Sequence, residues 1–217
     1  MVLFNLDDTH TSRSRLMICA KVLFARQGFE NVSTAVIARE AVTSESQLVK
    51  IFGGKAGLLD AVLNDGWRPI NDRVQRLAQD STNAREATLG ALSELVDAFE
   101  SDHEFAFLAL FEARRVRSGD PAVGESQGAI AFNDVLLRMI RRGQKDGSFS
   151  HDFNENAVAS ALLGVAEALA RERAIAQRDG KRSAFGEREV RRILDQVLDS
   201  FRVEAVFNTK SPRHNEH

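Results

Sequence analysis

The sequence contains one cysteine, three prolines, one tryptophan and no tyrosine in 217 residues. A lone thiol, Cys19, excludes an intramolecular disulfide and any cysteine cluster that could hold a metal. So few prolines, with Ala, Leu, Glu and Arg recurring throughout, favour helices over strands. No apolar run approaches the length of a bilayer span, so no membrane partner is expected. The first residues carry Asp7 and Asp8 rather than a basic stretch followed by an apolar one, and the cytoplasm is the expected location. Histidine is also scarce, at positions 10, 103, 151, 214 and 217. Glu100-x-x-His103 has the spacing used in di-iron bundles, but the second copy that such a site needs is missing. Neither a His-Glu-x-x-His pair nor a nucleophile-elbow glycine pattern occurs, so no metal, no cofactor and no enzyme activity are expected.

What is present is helical periodicity. Leu16, Cys19, Ala20, Leu23 and Phe24 recur at spacings of three and four between Arg13 and Gln27, marking one helix face, and Gly28 is placed to end it. Ser33 or Thr34 can cap a second short helix carrying Val36, Ile37 and Ala41, and Thr43 or Ser44 a third that runs to about residue 51. Gly53 and Gly54 break the chain before a long helix beginning near Lys55. Five further helices are predicted over 84–100, 103–117, 122–146, 154–178 and 187–206, and the polar tail 208–217 is expected to fray. The predicted fold is all-α, with about nine helices.

The formal net charge is −2, yet the segment 11–55 holds seven bases against three acids, a local net charge of +4. Two short helices joined by a turn of about four residues, behind a supporting amphipathic helix and locally basic, form a helix-turn-helix candidate. Its third helix would be the reader. Val42, Leu48 and Ile51 or Phe52 supply its inward side, leaving Ser44, Glu45, Ser46, Gln47 and Lys50 for a groove. Serine, glutamine and lysine can donate to phosphates or base edges, whereas an ionised Glu45 can only accept, for example from a cytosine amino group.

Residues 15–63, RLMICAKVLFARQGFENVSTAVIAREAVTSESQLVKIFGGKAGLLDAVL, resemble the DNA-binding region of TetR-type transcriptional regulators. The shared features are Leu-Phe-Ala-x-x-Gly-Phe closing the first helix, Thr-x-x-x-Ile-Ala in the second, a recognition helix ending in Phe, and Lys then Leu-Leu after a short turn. The resemblance implies a helix-turn-helix DNA-binding domain over 11–54 followed by a helical effector-binding and dimerisation domain over 55–207. It also implies DNA contacts at Thr34, Ser44, Glu45, Ser46, Gln47, Val49, Lys50 and Lys55. Val49 stands where the family most often has a tyrosine, and Lys50–Ile51 replaces its usual aromatic or histidine pair. A lost contact of this kind weakens binding by roughly 1–3 kcal/mol if uncompensated.

The same resemblance implies an effector pocket among the middle helices, for which Trp67, His103, Phe107, Phe111, Arg114, Met139, Leu163 and Glu167 are the candidates; Glu112, Arg115 and Arg171 are further polar groups able to orient a ligand. A four-helix dimer interface is expected from 154–178 and 187–206, through Val158, Leu162, Val165, Leu169, Val190, Leu194, Val197 and Phe201. The expected partners are a roughly palindromic double-stranded DNA operator, a small-molecule effector and a second copy of the chain. The expected function is repression relieved by the effector. The alternative is an interaction protein, a co-regulator that keeps the architecture but has weakened or lost DNA binding.

Overall fold

A computed structural model describes residues 11–113 and 126–203, and among these every regular element is helical. The amino-terminal helices are α1 (Ser12–Gln27), α2 (Thr34–Glu40) and α3 (Glu45–Phe52), each begun by a hydroxyl side chain. Thr11, Ser33 and Ser44 accept hydrogen bonds from the backbone N–H groups of Ser14, Val36 and Gln47, satisfying donors that a helix start leaves without partners. Gly53 ends α3 in the left-handed region, at φ 75° and ψ 0°, a conformation that glycine adopts without steric cost.

The remaining helices are α4 (Lys55–Asp80), α5 (Ala84–Ser101), α6 (His103–Phe107), α7 (Gln127–Asp146), α8 (Glu155–Arg178) and α9 (Glu187–Asp199). A π-helical turn, Leu108–Glu112, continues α6 without a break. Helices α4, α5, α7 and α8 pack on one another, α9 lies across α5 and α8, and α1 rests on α4 and α6. The buried apolar residues form one cluster running from Leu16 in α1 to Leu198 in α9, so the amino-terminal module shares its core with the helices that follow.

An aromatic group fills the centre of that core. Trp67 meets Phe99, Phe105 and Phe132 at centroid distances of 5.9, 5.8 and 5.6 Å. Two helical glycines permit this approach: a Cβ on Gly66 would lie 2.3 Å from the Phe105 ring, and one on Gly128 2.3 Å from the Trp67 Cβ.

Two helix boundaries differ from the sequence expectation. The segment expected over 122–146 starts at Gln127, where Ser126 caps it. The final helix stops at Asp199 rather than 206, because the chain turns there to engage the loop before α8. The Ser150 N–H donates to the Phe201 carbonyl at 2.8 Å, and the Phe201 ring sits edge-on to Phe153 at 5.3 Å. The expected tail and residues 114–117 of the sixth predicted helix lie outside the described residues.

Candidate nucleic-acid interface

The connection between α2 and α3 sets how α3 is offered to a partner. The Val42 N–H donates to the Arg39 carbonyl and the Thr43 N–H to that of Ala38, at 3.1 and 2.9 Å, closing a tight reversal. Within it Val42 takes φ 50°, and its side chain is 75% exposed. The expectation that Val42 packs inward is therefore corrected, since the reversal needs a left-handed residue and that geometry turns the isopropyl group outward. A β-branched residue in this region is strained by an amount of order 1 kcal/mol or more, tolerated where the surroundings hold it. Arg15 supplies part of that hold, its Nε–H donating to the Ala41 carbonyl at 3.0 Å.

Helix α3 separates its two sides as the pattern predicts. Leu48 is fully buried and Ile51 and Phe52 are half-buried, while Ser46, Val49 and Lys50 face outward and Gln47 lies at the edge. Of the expected contact residues, Ser44, Glu45, Ser46, Val49 and Lys50 are exposed and Gln47 is half-buried, all on one short, capped helix. Val49 is 50% exposed and places an apolar branched side chain there, suited to contact with a thymine methyl. Arg39, six residues before α3, is exposed, as is Arg13 of α1, whose guanidinium lies 5.0 Å from the centre of the Phe52 ring.

Two expected phosphate contacts are engaged within the protein. The Thr34 hydroxyl donates to the Glu45 carboxylate, tying the starts of α2 and α3 together. Carboxylate and phosphate compete for the same hydroxyl and helix end, so a phosphate would have to displace Glu45. The Lys55 ammonium donates to the Phe29 carbonyl at 3.0 Å and lies 4.3 Å from the centre of the Phe29 ring. The Phe29 N–H in turn donates to the buried carboxylate of Glu112 at 3.0 Å. Glu112, expected as a ligand-orienting group, instead ties the π-turn after α6 to the loop between α1 and α2. Neither Glu112, Phe29 nor Arg15 carries a local sequence signal for these roles, because each depends on a contact at least 26 residues away.

The expected effector residues do not surround one cavity. Trp67 and Met139 are buried in the core. His103 and Phe107 border a groove of about 350 Å³ with Arg26 and Arg178, and the Arg178 guanidinium lies 4.1 Å from the centre of the Phe107 ring. Phe111 stacks on Phe107 at 5.1 Å, whereas Leu163 and Glu167 are half-buried on α8. Arg171 is likewise half-buried, and Arg114 and Arg115 lie outside the described residues. A larger cleft, about 900 Å³, lies elsewhere, between α1, α4 and α5.

The expected dimer residues divide in two. Val158, Leu162, Val190 and Leu194 are buried within the subunit, because α8 turns its most apolar positions onto α5 and α7, and α9 turns its own onto α5 and α8. Val165, Leu169, Val197 and Phe201 are half-buried. The outward side of α8 is made instead of Ala157, Ser160, Ala161, Gly164 and Ala168, all exposed.

Residues 19–62, from within α1 to within α4, match the family model of the tetR family of bacterial regulatory proteins. No curated protein sequence matches the chain. Among solved structures, the chain is similar to the fatty acid degradation regulator FadR from Bacillus halodurans, with a TM-score of 0.72 at 12% identity over 88% of this chain and 96% of that one. FadR from Bacillus subtilis, solved in complex with stearoyl-CoA, gives a TM-score of 0.69 at 14% identity over 86% and 95%. The ketosteroid transcriptional regulator KstR2 of Mycobacterium tuberculosis gives 0.65 at 18% identity over 91% and 98%. At these identities the likeness is one of fold.

Proposed function

Taking as premise that the chain belongs, through its amino-terminal domain, to the tetR family of bacterial regulatory proteins, we propose that it is a sequence-specific DNA-binding repressor released from its operator by a small molecule. The observation that carries this reading is α3: a capped eight-residue helix anchored by buried Leu48, with Ser46, Val49 and Lys50 turned outward beside Gln47. A helix of that length presented end-first suits a major groove, where serine and lysine meet phosphates and glutamine reads a base edge.

Two such helices are needed for a palindromic operator, and a second copy of the chain supplies the other. The exposed small residues Ala157, Ala161, Gly164 and Ala168 let another α8 approach closely, with half-buried Ile193 and Val197 on α9 as flanking apolar surface. Regulation then follows from linkage: an effector that prefers the subunit arrangement unsuited to the operator lowers DNA affinity by the factor by which DNA lowers its own. The similar structures are those of regulators described with fatty-acid degradation, stearoyl-CoA and ketosteroids, which supports a small-molecule effector without specifying its chemistry.

The test is an anisotropy titration of the purified protein against its native upstream region at several salt concentrations. A saturable complex that weakens steeply with salt and exceeds binding to scrambled DNA is expected. Equal affinity for scrambled DNA would refute sequence-specific reading and favour the co-regulator.

A further inference from the structure

We infer that the cleft between α1, α4 and α5 is a binding site for an amphipathic organic cation, a protonated amine carried on an apolar body. At about 900 Å³ it has the size of a small-molecule site. Its walls combine apolar side chains, among them Met17 and Ile18 from α1 and Val62 and Ile70 from α4, with charges that are mostly matched. Lys21 pairs with Asp102 at 2.7 Å, Arg73 with Glu94, and Asp65 with Arg68. Arg13 turns to the Phe52 ring. Asp97 is left as the lining carboxylate with no ion pair or side-chain hydrogen bond among the described residues. Burial first, and then the like charges of Glu187, Glu94 and Glu100, push its pKa up, against the opposing pull of Arg173. A cation placed there relieves that repulsion.

The helix opposite Asp97 offers a second acceptor. Pro69 lies inside α4 and has no N–H, so the carbonyl of Asp65 lacks the donor that an unbroken helix would give it. Asp65 and Pro69 both line the cleft and are exposed. A carboxylate and a freed carbonyl on facing helices, with apolar side chains along the walls, match an ammonium whose N–H groups donate while its hydrocarbon part leaves water. Among the cations of the lining, Lys21 and Arg73 are already paired and Arg13 lies over the Phe52 ring, whereas Asp97 has no such partner, which favours a cation over an anion.

The cleft lies against α1, so its role as the effector site rests on the regulatory reading, whereas binding itself can be measured without DNA. The experiment is calorimetry on the full chain with dodecylamine, protonated at neutral pH, and with dodecanoate, both below micellar concentrations. Saturable binding of dodecylamine is expected, with dodecanoate at least about tenfold weaker. Asp97→Asn, a near-isosteric change on an exposed helix position, is expected to weaken dodecylamine about tenfold, and Ala98→Trp to block the cleft, both with unchanged circular dichroism. Absence of dodecylamine binding, equal binding of dodecanoate, or indifference to both variants overturns the inference. A protein that binds its operator but not dodecylamine sinks the cleft alone; one that binds dodecylamine but no operator sinks the regulatory reading and leaves the cleft intact.

Discussion

The hydrogen bond between Glu112 and Phe29 joins the amino-terminal helices to those that follow, and removing it has a calculable cost. Glu112→Ala deletes the acceptor of the Phe29 N–H, which is met at 3.0 Å in a buried setting. A buried donor left without a partner costs about 1–3 kcal/mol, toward the upper end where the lost partner is charged. For a chain of this size that corresponds to a fall in melting temperature of roughly 2–12 °C. Glu112→Gln keeps a carbonyl oxygen at the same reach and should lose less than half as much. The Lys55 ammonium leans on the carbonyl and ring of the same Phe29, so loosening that residue also loosens the start of α4. Urea denaturation and thermal melts of the two variants measure the difference. An alanine variant within about 0.5 kcal/mol of the parent, the range of an ordinary surface change, would refute the reasoning.

Lys50→Ala is expected to weaken operator binding across all sequences and to lower the slope of log affinity against log salt by about one, whereas Gln47→Ala should cost about 1–3 kcal/mol on the cognate sequence and leave the slope unchanged. Gly164→Arg should convert dimers to monomers in sedimentation velocity with helix content intact, because a Cβ at Gly164 meets nothing within 4 Å in its own subunit. Burial, assisted by the charge of Glu40 and opposed by Arg15, pushes the Cys19 thiol up to about 11 from its ordinary 9.0. The folded state therefore keeps a proton that the unfolded state releases, and this contribution to stability, complete below about pH 9, is lost as pH rises toward about 11. Cys19→Ala should flatten that part of the stability–pH curve measured by urea denaturation, and an unchanged curve would contradict the assignment.

The helices and their ends were legible because their signals are local. Ser33 and Ser44 cap, Gly28 and Gly53 terminate, and Leu48 anchors the reading helix, all within one turn of where the pattern places them. At Val42 apolarity predicts an inward side chain, but the reversal between α2 and α3 imposes a left-handed backbone that overrides side-chain preference. Periodicity marks an apolar face without saying what covers it, which is why Leu162 and Leu194 look like interface residues yet are completely buried in their own subunit. The small residues left outside on α8 gave no comparable signal. Trp67 is likewise buried in the core, while Met139 is buried beside a small cavity of about 230 Å³. The cleft beneath α1 has no sequence signal for another reason: its walls are brought together by the packing of α1 on α4 and α6 and of α5 on α4, which no spacing in the sequence encodes.

Two polar contacts tie the amino-terminal helices to those that follow, beside the packing of α1 on α4 and α6. One is the Lys21–Asp102 pair, at 2.7 Å, where both residues line the cleft; the other is the buried hydrogen bond to the π-turn. Between them α1 shares one continuous core with α3 and α4, and a close-packed core transmits a displacement rather than absorbing it. A ligand in the cleft that favours another seating of α1 on α4 would therefore carry α3 with it. The lever is bounded by linkage. If the operator complex requires the present seating of α1, a tenfold preference of the ligand for the other seating can lower operator affinity by no more than about tenfold per subunit.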